Sequence, residues 1–506
     1  MSTTTQLRDV TLEDKYTLPS GRIYLSGIQA LVRLPLMQRA RDAKAGLNTG
    51  GFISGYRGSP LGTYDNALWS ARKHLEAENI HFQPGLNEDL AATSVWGSQQ
   101  VGLFPGANVQ GVFGIWYGKG PGVDRSVDAL KHANAAGTSR FGGVLALAGD
   151  DHGCQSSTLA HQSEQVFQAA MMPILNPSTV QEYLDFGIYG FALSRYSGCW
   201  VGFKAISETA ESSASIEADP ERMQFVEPCE FDMPAGGLHI RWPDPPLEAE
   251  ARLHGDKMRA VAAFARANPI DRIALDSPEA TLGIITTGKA YLDVRQALAD
   301  LGLSDAACAE IGLRVYKVGL TWPLEVQGAR RFAQGLKDVL VVEEKQGFIE
   351  TQFTHAIFNM DVASRPSVVG KRDEDGKVLL RSEGELSPTL VARAILSRLE
   401  RQGLGNSNLT QRIARLESFE QVARTPQIKS QRAPFFCSGC PHNTSTQLPD
   451  GSRAMAGIGC HGMVMWMPNR NTETITHMGG EITVHNHPEG GAVFVVMIPE
   501  VKKVLK

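Results

Sequence analysis

The sequence predicts an α/β protein of several domains built on parallel sheets, and three observations support this prediction. The chain has 506 residues, which at usual domain sizes corresponds to about three domains. Short apolar runs are followed by clusters of Gly, Asp and Ser and then by helical patterns, as in strand–loop–helix units. Many of the 51 glycines stand at the ends of these apolar runs, where a parallel sheet places its ligand-binding loops.

The first predicted domain spans residues 1–240 and repeats one pattern. The stretch GGFISGYRGSPLGTYDNALW is predicted as a strand, a Gly-rich turn and a helix. The stretches GVFGIWYGKGPGVDRSVDALKHANAAG and GGVLALAGDDHGCQSS follow the same order. In each of them the polar cluster comes at the carboxyl end of the strand, so we expect the functional residues of this domain at that edge of its sheet.

The rest of the chain is divided by changes in composition. Residues 241–280 are predicted as a connecting segment with an amphipathic helix, and residues 281–400 as a second α/β domain. Residues 401–433 are polar, helix-like and interrupted by prolines, which indicates a linker. Residues 434–481 are predicted to begin a third domain, and residues 482–506 form a tail.

Composition excludes several classes of protein. A net charge of -5 with 20% charged residues gives neither the basic surface of a nucleic-acid-binding protein nor an acidic tail. No apolar run has the length of a membrane span, and the N-terminus lacks the apolar segment of a secretory signal. Seven scattered cysteines, an odd number, argue against a disulfide framework. We therefore expect a cytoplasmic protein with reduced thiols, without nucleic-acid or membrane partners.

Three cysteines near the end of the chain have the spacing of metal ligands. Cys437 and Cys440 form a Cys-x-x-Cys pair, and 19 residues separate Cys440 from Cys460. Thiolates at such a spacing chelate zinc or an iron–sulfur cluster, and both usually need a fourth ligand. His442 and His461 are the nearby nitrogen donors. The spacing leaves zinc, a cluster and unpaired buried thiols as alternatives.

Two stretches of the first domain carry candidate site residues. Glu88 in NEDLAAT stands at a predicted helix start, where a carboxylate also simply complements the helix dipole. In GYRGSPLG, the backbone of Gly58 and the hydroxyl of Ser59 have the chemistry to bind an anion or a carbonyl oxygen. Arg57 in the same loop can bind a carboxylate bidentately. Ordinary loop chemistry explains this composition equally well.

Two further stretches, AGDDHGCQSST at 148–158 and VVEEKQGFIE at 341–350, also follow apolar runs. The first combines Gly with Ser and Thr and has either an anion-binding or a plain loop interpretation. The paired glutamates of the second are either a catalytic pair or an ion-pair patch between domains. On composition alone, the ion-pair interpretation is favoured.

Together these motifs resemble one family, the thiamine-dependent 2-oxoacid:ferredoxin oxidoreductases. Within it the sequence is most similar to the long single-chain indolepyruvate:ferredoxin oxidoreductases. The resemblance covers roughly residues 15–480 and is carried in one order by long motifs, among them GYRGSPLGTYDNALW, NEDLAATSVWGSQQ, VFGIWYGKGPGVDRS, VVEEKQGFIETQ, CSGCPHNTST and AGIGCHGM.

The resemblance implies a fold and a reaction. Residues 1–240 are then a pyrimidine-binding-like domain of a thiamine diphosphate enzyme, residues 281–400 a transketolase-C-like domain, and residues 434–481 the truncated start of a diphosphate-binding domain. The implied reaction is oxidative decarboxylation of an aryl 2-oxo acid such as indolepyruvate, with ferredoxin as the electron acceptor and coenzyme A as the acyl acceptor. The implied cofactors are thiamine diphosphate with magnesium and a [4Fe–4S] cluster, in a homodimer.

The resemblance also implies roles for individual residues. Glu88 matches the glutamate that hydrogen-bonds the aminopyrimidine ring of the cofactor. Ser59 matches a hydroxyl residue near the oxo acid, and Arg57 and Gly58 in the same loop are assigned to cofactor binding.

The three cysteines also match family positions. Cys437, Cys440 and Cys460 match three cluster ligands of the family. This favours a [4Fe–4S] cluster over zinc, which stays the alternative.

The end of the sequence departs from the family pattern. HMGGE at 477–481 opens the diphosphate-binding domain of the family, but here about 25 residues follow, and no Gly-Asp-Gly for magnesium occurs in the chain. These last residues resemble the final strands of a sensor histidine kinase ATP domain. We therefore expect the chain to be incomplete and inactive alone. The alternatives are a non-catalytic assembly subunit and a zinc-stabilised binding protein.

Overall fold

The structure is a computed structural model, and it describes residues 9–157, 159–424, 433–457, 460–475, 481–486 and 492–497. The chain divides into two compact units. The first comprises Met1–Ser156 and Ala160–Glu417, and the second comprises Ser157–Leu159 and Ser418–Lys506.

The strands, numbered along the chain, are β1 Arg22–Ser26, β2 Thr49–Gly55, β3 Ile80–Phe82, β4 Gly111–Lys119, β5 Val144–Asp150, β6 Ile174–Leu175, β7 Trp200–Ile206, β8 Ser213–Glu217, β9 Arg272–Leu275, β10 Leu282–Thr287, β11 Leu313–Val318, β12 Leu320–Trp322, β13 Asp338–Val342, β14 Ser367–Val369, β15 Arg453–Ala456, β16 Thr472–Ile475, β17 Glu481–Asn486 and β18 Ala492–Met497.

The α-helices are α1 Asp14–Thr17, α2 Gly27–Lys44, α3 Tyr64–Ser70, α4 Arg72–Ala77, α5 Glu88–Ser98, α6 Gly120–Arg125, α7 Val127–Ala136, α8 Glu164–Ala169, α9 Val180–Ser197, α10 Ser207–Ala210, α11 Pro246–Ala251, α12 Met258–Ala267, α13 Gly288–Asp300, α14 Asp305–Glu310, α15 Val326–Ala333, α16 Ile349–Ile357, α17 Pro388–Arg401, α18 Ser407–Arg424 and α19 His442–Ser445. A π-helical turn, Arg252–Lys257, joins α11 to α12, and a 3-10 helix spans Cys460–Trp466.

The first sheet of the larger unit has the strand order β12-β6-β7-β5-β4-β2-β3. Its strands pair in parallel from β6 to β3, so their carboxyl ends lie along one edge. Strands β5 and β7 are buried at every position, because helices cover both faces of a parallel sheet. This arrangement places the loops after β2, β4, β5 and β7 together, as the sequence predicts.

The second sheet of the larger unit has the order β14-β13-β10-β11-β9. Its strands are parallel except β9, which pairs with β11 in the antiparallel sense. Strand β9 lies in the segment predicted as a connection, and it is the antiparallel edge of this sheet. Strands β10, β11 and β13 are each followed by a loop or helix at their carboxyl ends, as in the first sheet.

One short strand links the two sheets of the larger unit. Strand β12 follows β11 of the second sheet after a single residue, but it pairs antiparallel with β6 of the first sheet. The paired residues, Leu320 of β12 and Leu175 of β6, are both buried. The sequence predicts only a strand followed by a loop here, because the partner of β12 lies more than 140 residues away in the chain.

The smaller unit contains the third predicted domain. Its sheet has the order β16-β15-β17-β18, with β17 and β18 forming an antiparallel pair. A small apolar cluster holds Phe436, Ala456, Val464 and Met467. The HMGGE motif begins at 477, outside the described residues.

These elements confirm the predicted α/β class with parallel sheets. The predicted strand, turn and helix around GYRGSPLG correspond to β2 and α3, and those around VVEEKQGF to β13 and α16. The segment predicted as a polar, helix-like linker contains α18. The domain boundaries given above stay predictions.

A glycine at the start of α2 allows one close backbone contact in the first sheet's helical layer. A Cβ on Gly27 would lie 2.3 Å from the carbonyl oxygen of Thr209 and 2.8 Å from the Cα of Ala210. Because backbone atoms cannot move as a flexible side chain does, Gly27→Ala should lower the free energy of unfolding by about 1–3 kcal/mol. Urea denaturation measures this change.

Gly97 offers a matched control inside another helix. No heavy atom lies within 4 Å of the position that its Cβ would take, and α5 includes it. Gly97→Ala should therefore raise the free energy of unfolding by about 0.4–1 kcal/mol. Equal effects of the two substitutions would contradict the packing described for Gly27.

Candidate functional site

Glu88 lies at the carboxyl edge of the first sheet because a capped helix begins there. The side chain of Asn87 accepts a hydrogen bond from the Leu90 amide at 2.8 Å, which fixes the start of α5 at Glu88. The Trp116 indole of β4 donates to the Glu88 carbonyl oxygen at 2.9 Å. Both contacts hold the residue in place, and its side chain is only 4% exposed.

The carboxylate of Glu88 is buried and incompletely satisfied. Its Oε2 atom has no hydrogen-bond partner among the described residues, which is unusual for a buried carboxylate oxygen. A Cβ on Gly122 would lie 2.5 Å from Glu88 Cγ and 2.9 Å from Oε1, so only glycine accommodates the Glu88 side chain at this distance. The arrangement provides a fixed, buried hydrogen-bond acceptor whose Oε2 lacks a donor among the described residues.

The loop after β2 carries the other residues predicted for this site. Arg57 is exposed, Gly58 and Ser59 are half-buried, and the Ser59–Pro60 peptide is cis. A Cβ on Gly58 would lie 2.9 Å from the Cβ of Lys119, so this loop packs against the end of β4. The structure thus places Arg57, Gly58 and Ser59 at the same sheet edge as Glu88.

Lys119 is a candidate that the sequence analysis missed. It ends β4, and its Nζ donates to the carbonyl oxygen of Ser156 at 2.6 Å. Burial lowers its pKa, while the nearby Asp151 and Cys154 act in the opposite direction. The signal that identifies it is a single cation at the end of the long apolar strand Gly111–Lys119, directly before a Gly-Pro-Gly helix start.

The acidic residues of 148–158 accept hydrogen bonds from segments that follow them in the chain. Asp150 accepts hydrogen bonds from the amide of Ser163 at 2.9 Å and from its hydroxyl at 2.6 Å. Asp151 accepts from the amides of Gln155 and Ser156 at 2.9 and 2.8 Å. For Asp151, the plain loop interpretation therefore describes what the structure shows, whereas Asp150 also lies 3.5 Å from the Nζ of the buried Lys204.

The paired glutamates of 341–350 have separate roles. Glu343 accepts hydrogen bonds from the amides of Ile349 and Glu350 at 2.8 and 3.0 Å, at the start of α16. Glu344 forms an ion pair with Lys289 at 3.1 Å. The structure thus shows a helix cap and an ion pair within the second predicted domain, rather than an ion-pair patch between domains.

Glu343 should make stability depend on pH. Burial raises its pKa from 4.5 to about 7, although the amides of Glu350 and Ile349 oppose this. The folded protein then binds this proton more tightly than the unfolded chain, so the free energy of unfolding falls as pH rises from about 4.5 to about 7. Glu343→Gln cannot titrate and should lose this part of the slope. Urea denaturation of both proteins at pH 5 and pH 8 measures the difference, and equal slopes would contradict the assignment.

The three candidate metal ligands lie in the smaller unit. Cys437 and Cys460 are exposed, Cys440 is half-buried, and all three are free thiols. The amide of Cys440 donates to the Cys437 carbonyl oxygen at 3.0 Å, which forms the tight turn of the Cys-x-x-Cys pair. The rings of His442 and His461 lie 5.8 Å apart, so the histidines that follow the two motifs are neighbours.

Within the described part of the chain, no three His, Cys, Asp or Glu side chains are grouped so that they hold a metal ion. The structure thus brings the two cysteine motifs into one small unit without gathering the thiols around a centre. In the same described ranges, no helix is both long and apolar enough to cross a membrane.

Comparisons with known proteins identify relatives for most of the chain. Residues 271–428 match the family described as the indolepyruvate ferredoxin oxidoreductase middle domain. The indolepyruvate oxidoreductase subunit IorA of Methanothermobacter marburgensis is 26% identical over 470 residues, which cover 89% of this chain and 67% of that protein. The IorA subunit of Pyrococcus abyssi is 24% identical over 491 residues, which cover 95% of this chain and 67% of that protein. The chain therefore spans about two thirds of the length of these relatives.

The fold has a relative among solved structures. The 2-oxoglutarate:ferredoxin oxidoreductase from Magnetococcus marinus, solved with 2-oxoglutarate, coenzyme A and succinyl-CoA bound, aligns with a TM-score of 0.51 and 16% identity. The alignment covers 76% of this chain and 65% of that one, and it supports the fold. The sequence relatives show that this chain is similar to indolepyruvate oxidoreductase subunits over most of its length, with the family match confined to residues 271–428.

Proposed function

We propose that the larger unit forms the aminopyrimidine side of a thiamine diphosphate site in an oxidoreductase. The proposed enzyme decarboxylates an aryl 2-oxo acid such as indolepyruvate, passes the electrons to ferredoxin and transfers the acyl group to coenzyme A. The observation that carries this proposal is the buried Glu88 carboxylate, whose Oε2 has no partner among the described residues.

The residues around Glu88 fit the aminopyrimidine ring. A protonated ring nitrogen is a donor of the kind that the buried Oε2 lacks, and Gly122 lets the backbone pack directly against the Glu88 side chain and hold it in place. Glu88 would hold that proton on the ring, because a buried carboxylate stabilises a positive charge next to it. When bound, the cofactor supplies the carbon nucleophile and stabilises the negative charge left after carbon dioxide departs.

Two cations at the same sheet edge fit the anionic groups of the oxo acid and of the cofactor. Lys119 lies at the end of β4 and Arg57 in the loop after β2. We assign Ser59 to the oxo acid and Arg57 and Gly58 to the cofactor, and we add Lys119 as a group that binds the substrate carboxylate. A guanidinium and an ammonium both bind carboxylates, the guanidinium with the more specific geometry.

We further propose that Cys437, Cys440 and Cys460 are ligands of a [4Fe–4S] cluster, with zinc as the alternative. Their spacing supports this proposal, and the described positions of the thiols do not gather around one centre, so we derive no redox step through it. Iron and sulfide analysis of protein purified without oxygen should give about four of each per chain. Stoichiometric zinc, or no metal, would overturn the cluster.

The magnesium and diphosphate side of the site needs residues that we do not find in this sequence. No Gly-Asp-Gly occurs among the 506 residues. We therefore propose that the chain acts with a diphosphate-binding partner, as a homodimeric component in the cytoplasm, and that it is inactive alone.

The test is ferredoxin reduction that depends on the oxo acid. The chain is assayed with indolepyruvate, coenzyme A, thiamine diphosphate and magnesium, alone and with a diphosphate-binding chain of this family. Activity only in the mixture supports the proposal. Turnover by the chain alone would overturn the need for a partner. A mixture that associates without turnover would favour a non-catalytic assembly role.

A further inference from the structure

A pocket of the larger unit lies between α2 and α9, and the segment after β8 also lines it. Its volume is about 420 Å³, within the range of about 300–1,000 Å³ that is usual for small-molecule sites. In its lining, Asp42 accepts a hydrogen bond at 2.6 Å from Thr49, which begins β2, and Arg195 donates at 2.8 Å to the Gly142 carbonyl oxygen just before β5. The pocket is therefore at the amino edge of the first sheet, opposite Glu88.

The buried side of the pocket is a neutral, fully hydrogen-bonded network around Asp42. Arg195 donates to both oxygens of this carboxylate, from Nη1 at 2.6 Å and from Nη2 at 2.8 Å. Gln38 and Thr49 donate to the same carboxylate at 2.8 and 2.6 Å. Because these bonds use the acceptor capacity of a carboxylate, the pair of Asp42 and Arg195 has no net charge and needs no further cation.

Part of the lining is apolar and includes an aromatic ring. Leu47, Ile188, Ala192 and Phe225 belong to it. Ile188 and Ala192 lie one turn apart on α9, and all of these side chains except the buried Ile188 are half-buried. The Phe225 ring packs on that of Phe264 with 5.9 Å between the ring centroids, which holds it in place. A half-buried apolar surface of this kind gains free energy when the apolar body of a ligand covers it.

The outer side of the pocket has two cations that share one carboxylate. Glu221 lies 3.7 Å from Arg41 and 3.4 Å from Lys44. Within the described ranges, Arg41 donates hydrogen bonds from Nη1, to the carbonyl oxygens of Pro220 and Met223 at 2.5 and 2.9 Å. The Nε and Nη2 atoms of a guanidinium carry further N–H donors. Arg41 therefore has donors that can bind an anionic ligand.

The charged groups just beyond the lining do not remove this excess of positive charge. Asp219, two residues before Glu221, accepts the amide of Glu221 at 2.9 Å. Arg39 is a further cation at this end of α2 and donates to the Leu47 carbonyl oxygen at 3.4 Å. The cations are then Arg39, Arg41, Lys44 and Arg195, and the carboxylates are Asp42, Asp219 and Glu221, which leaves one cation in excess. A monoanion balances this charge, whereas a nucleotide with several phosphate charges would exceed it.

We infer that this pocket binds a small aromatic monocarboxylate. Its carboxylate contacts Arg41 and Lys44, and its ring lies against Ile188 and Phe225. A guanidinium binds a carboxylate with specific geometry, and aromatic rings stabilise one another in offset or edge-to-face contact. Because the pocket and Glu88 lie at opposite edges of the first sheet, the inference does not rest on the proposed function.

Isothermal titration calorimetry of the 506-residue chain with phenylacetate tests the inference. No thiamine diphosphate or ferredoxin is added, so a failure of the proposed reaction does not affect the result. Phenylacetate should bind, and phenylacetamide, which has the same ring but no charge, should bind about tenfold more weakly. Absence of phenylacetate binding at millimolar concentrations, or equal affinities for the two compounds, would overturn the inference.

Three substitutions locate the bound ligand. Arg41→Gln removes the guanidinium and should weaken phenylacetate binding about tenfold. Lys44→Gln changes a side chain that is 69% exposed, so it should weaken binding about threefold without disturbing the fold. Arg57→Gln is the control, because it removes an exposed arginine at the carboxyl edge of the same sheet, and it should leave binding unchanged. Binding that persists in both Arg41→Gln and Lys44→Gln, or that is lost in Arg57→Gln, would contradict the inference.

Discussion

Glu88→Gln should reduce turnover of the aryl 2-oxo acid by about 10²–10⁴-fold in the assembled enzyme. Glutamine keeps the size of the side chain but removes the negative charge that we expect to hold the proton on the aminopyrimidine ring. Because Oε2 has no protein partner among the described residues, the fold loses no hydrogen bond there. The kcat for ferredoxin reduction measures the effect, and urea denaturation should show little change in stability.

Asp89→Asn is the matched control for Glu88→Gln. Asp89 is the next residue in the first turn of α5, so both substitutions remove one carboxylate from the same helix N-terminus. The control should retain nearly full activity. If both variants lost activity equally, the effect would come from the helix start and not from a specific contact of Glu88.

Lys204→Met should lower the free energy of unfolding by about 3–5 kcal/mol. Lys204 is 4% exposed and lies between the buried carboxylates of Asp150 and Glu164. Methionine has a similar length but leaves these two carboxylates without their cation in a buried site. The free energy of unfolding by urea at one fixed salt concentration measures the loss.

A surface ion pair provides the contrast for Lys204→Met. Lys377 and Asp375 lie 3.3 Å apart with exposed side chains, so Lys377→Met should change stability by less than about 0.5 kcal/mol. Similar losses in the two variants would mean that the Lys204 cluster contributes no more than an exposed pair.

The strands of this fold and the loops after them can be predicted from the sequence, because the pattern of neighbouring residues determines them. Apolar runs such as VLALAGD form buried parallel strands, and the Gly-rich or polar residues after them form the loops. The pairing of β12 with β6 does not follow in this way. Leu320 and Leu175 meet only through tertiary packing, which no local pattern in LRVYKVGLTWPLE encodes.

The candidate site, too, is predicted by local sequence only in part, because the rest depends on tertiary packing. Asn87 as a cap predicts that Glu88 starts a helix, but its burial depends on Gly122 and Trp116, which are distant in sequence. Lys119 belongs to no spaced motif, and the signal for it is only its place at the end of a long apolar strand. The pocket between α2 and α9 joins stretches that the sequence presents separately, so only the packed helices reveal it.

The most direct measurement of the central claim is the structure of the assembled enzyme with thiamine diphosphate bound. We predict that Glu88 Oε2 lies within hydrogen-bond distance of a ring nitrogen of the aminopyrimidine, with Gly122 beside the ring. A cofactor bound elsewhere, or a Glu88 carboxylate that contacts no atom of the pyrimidine, would contradict the account.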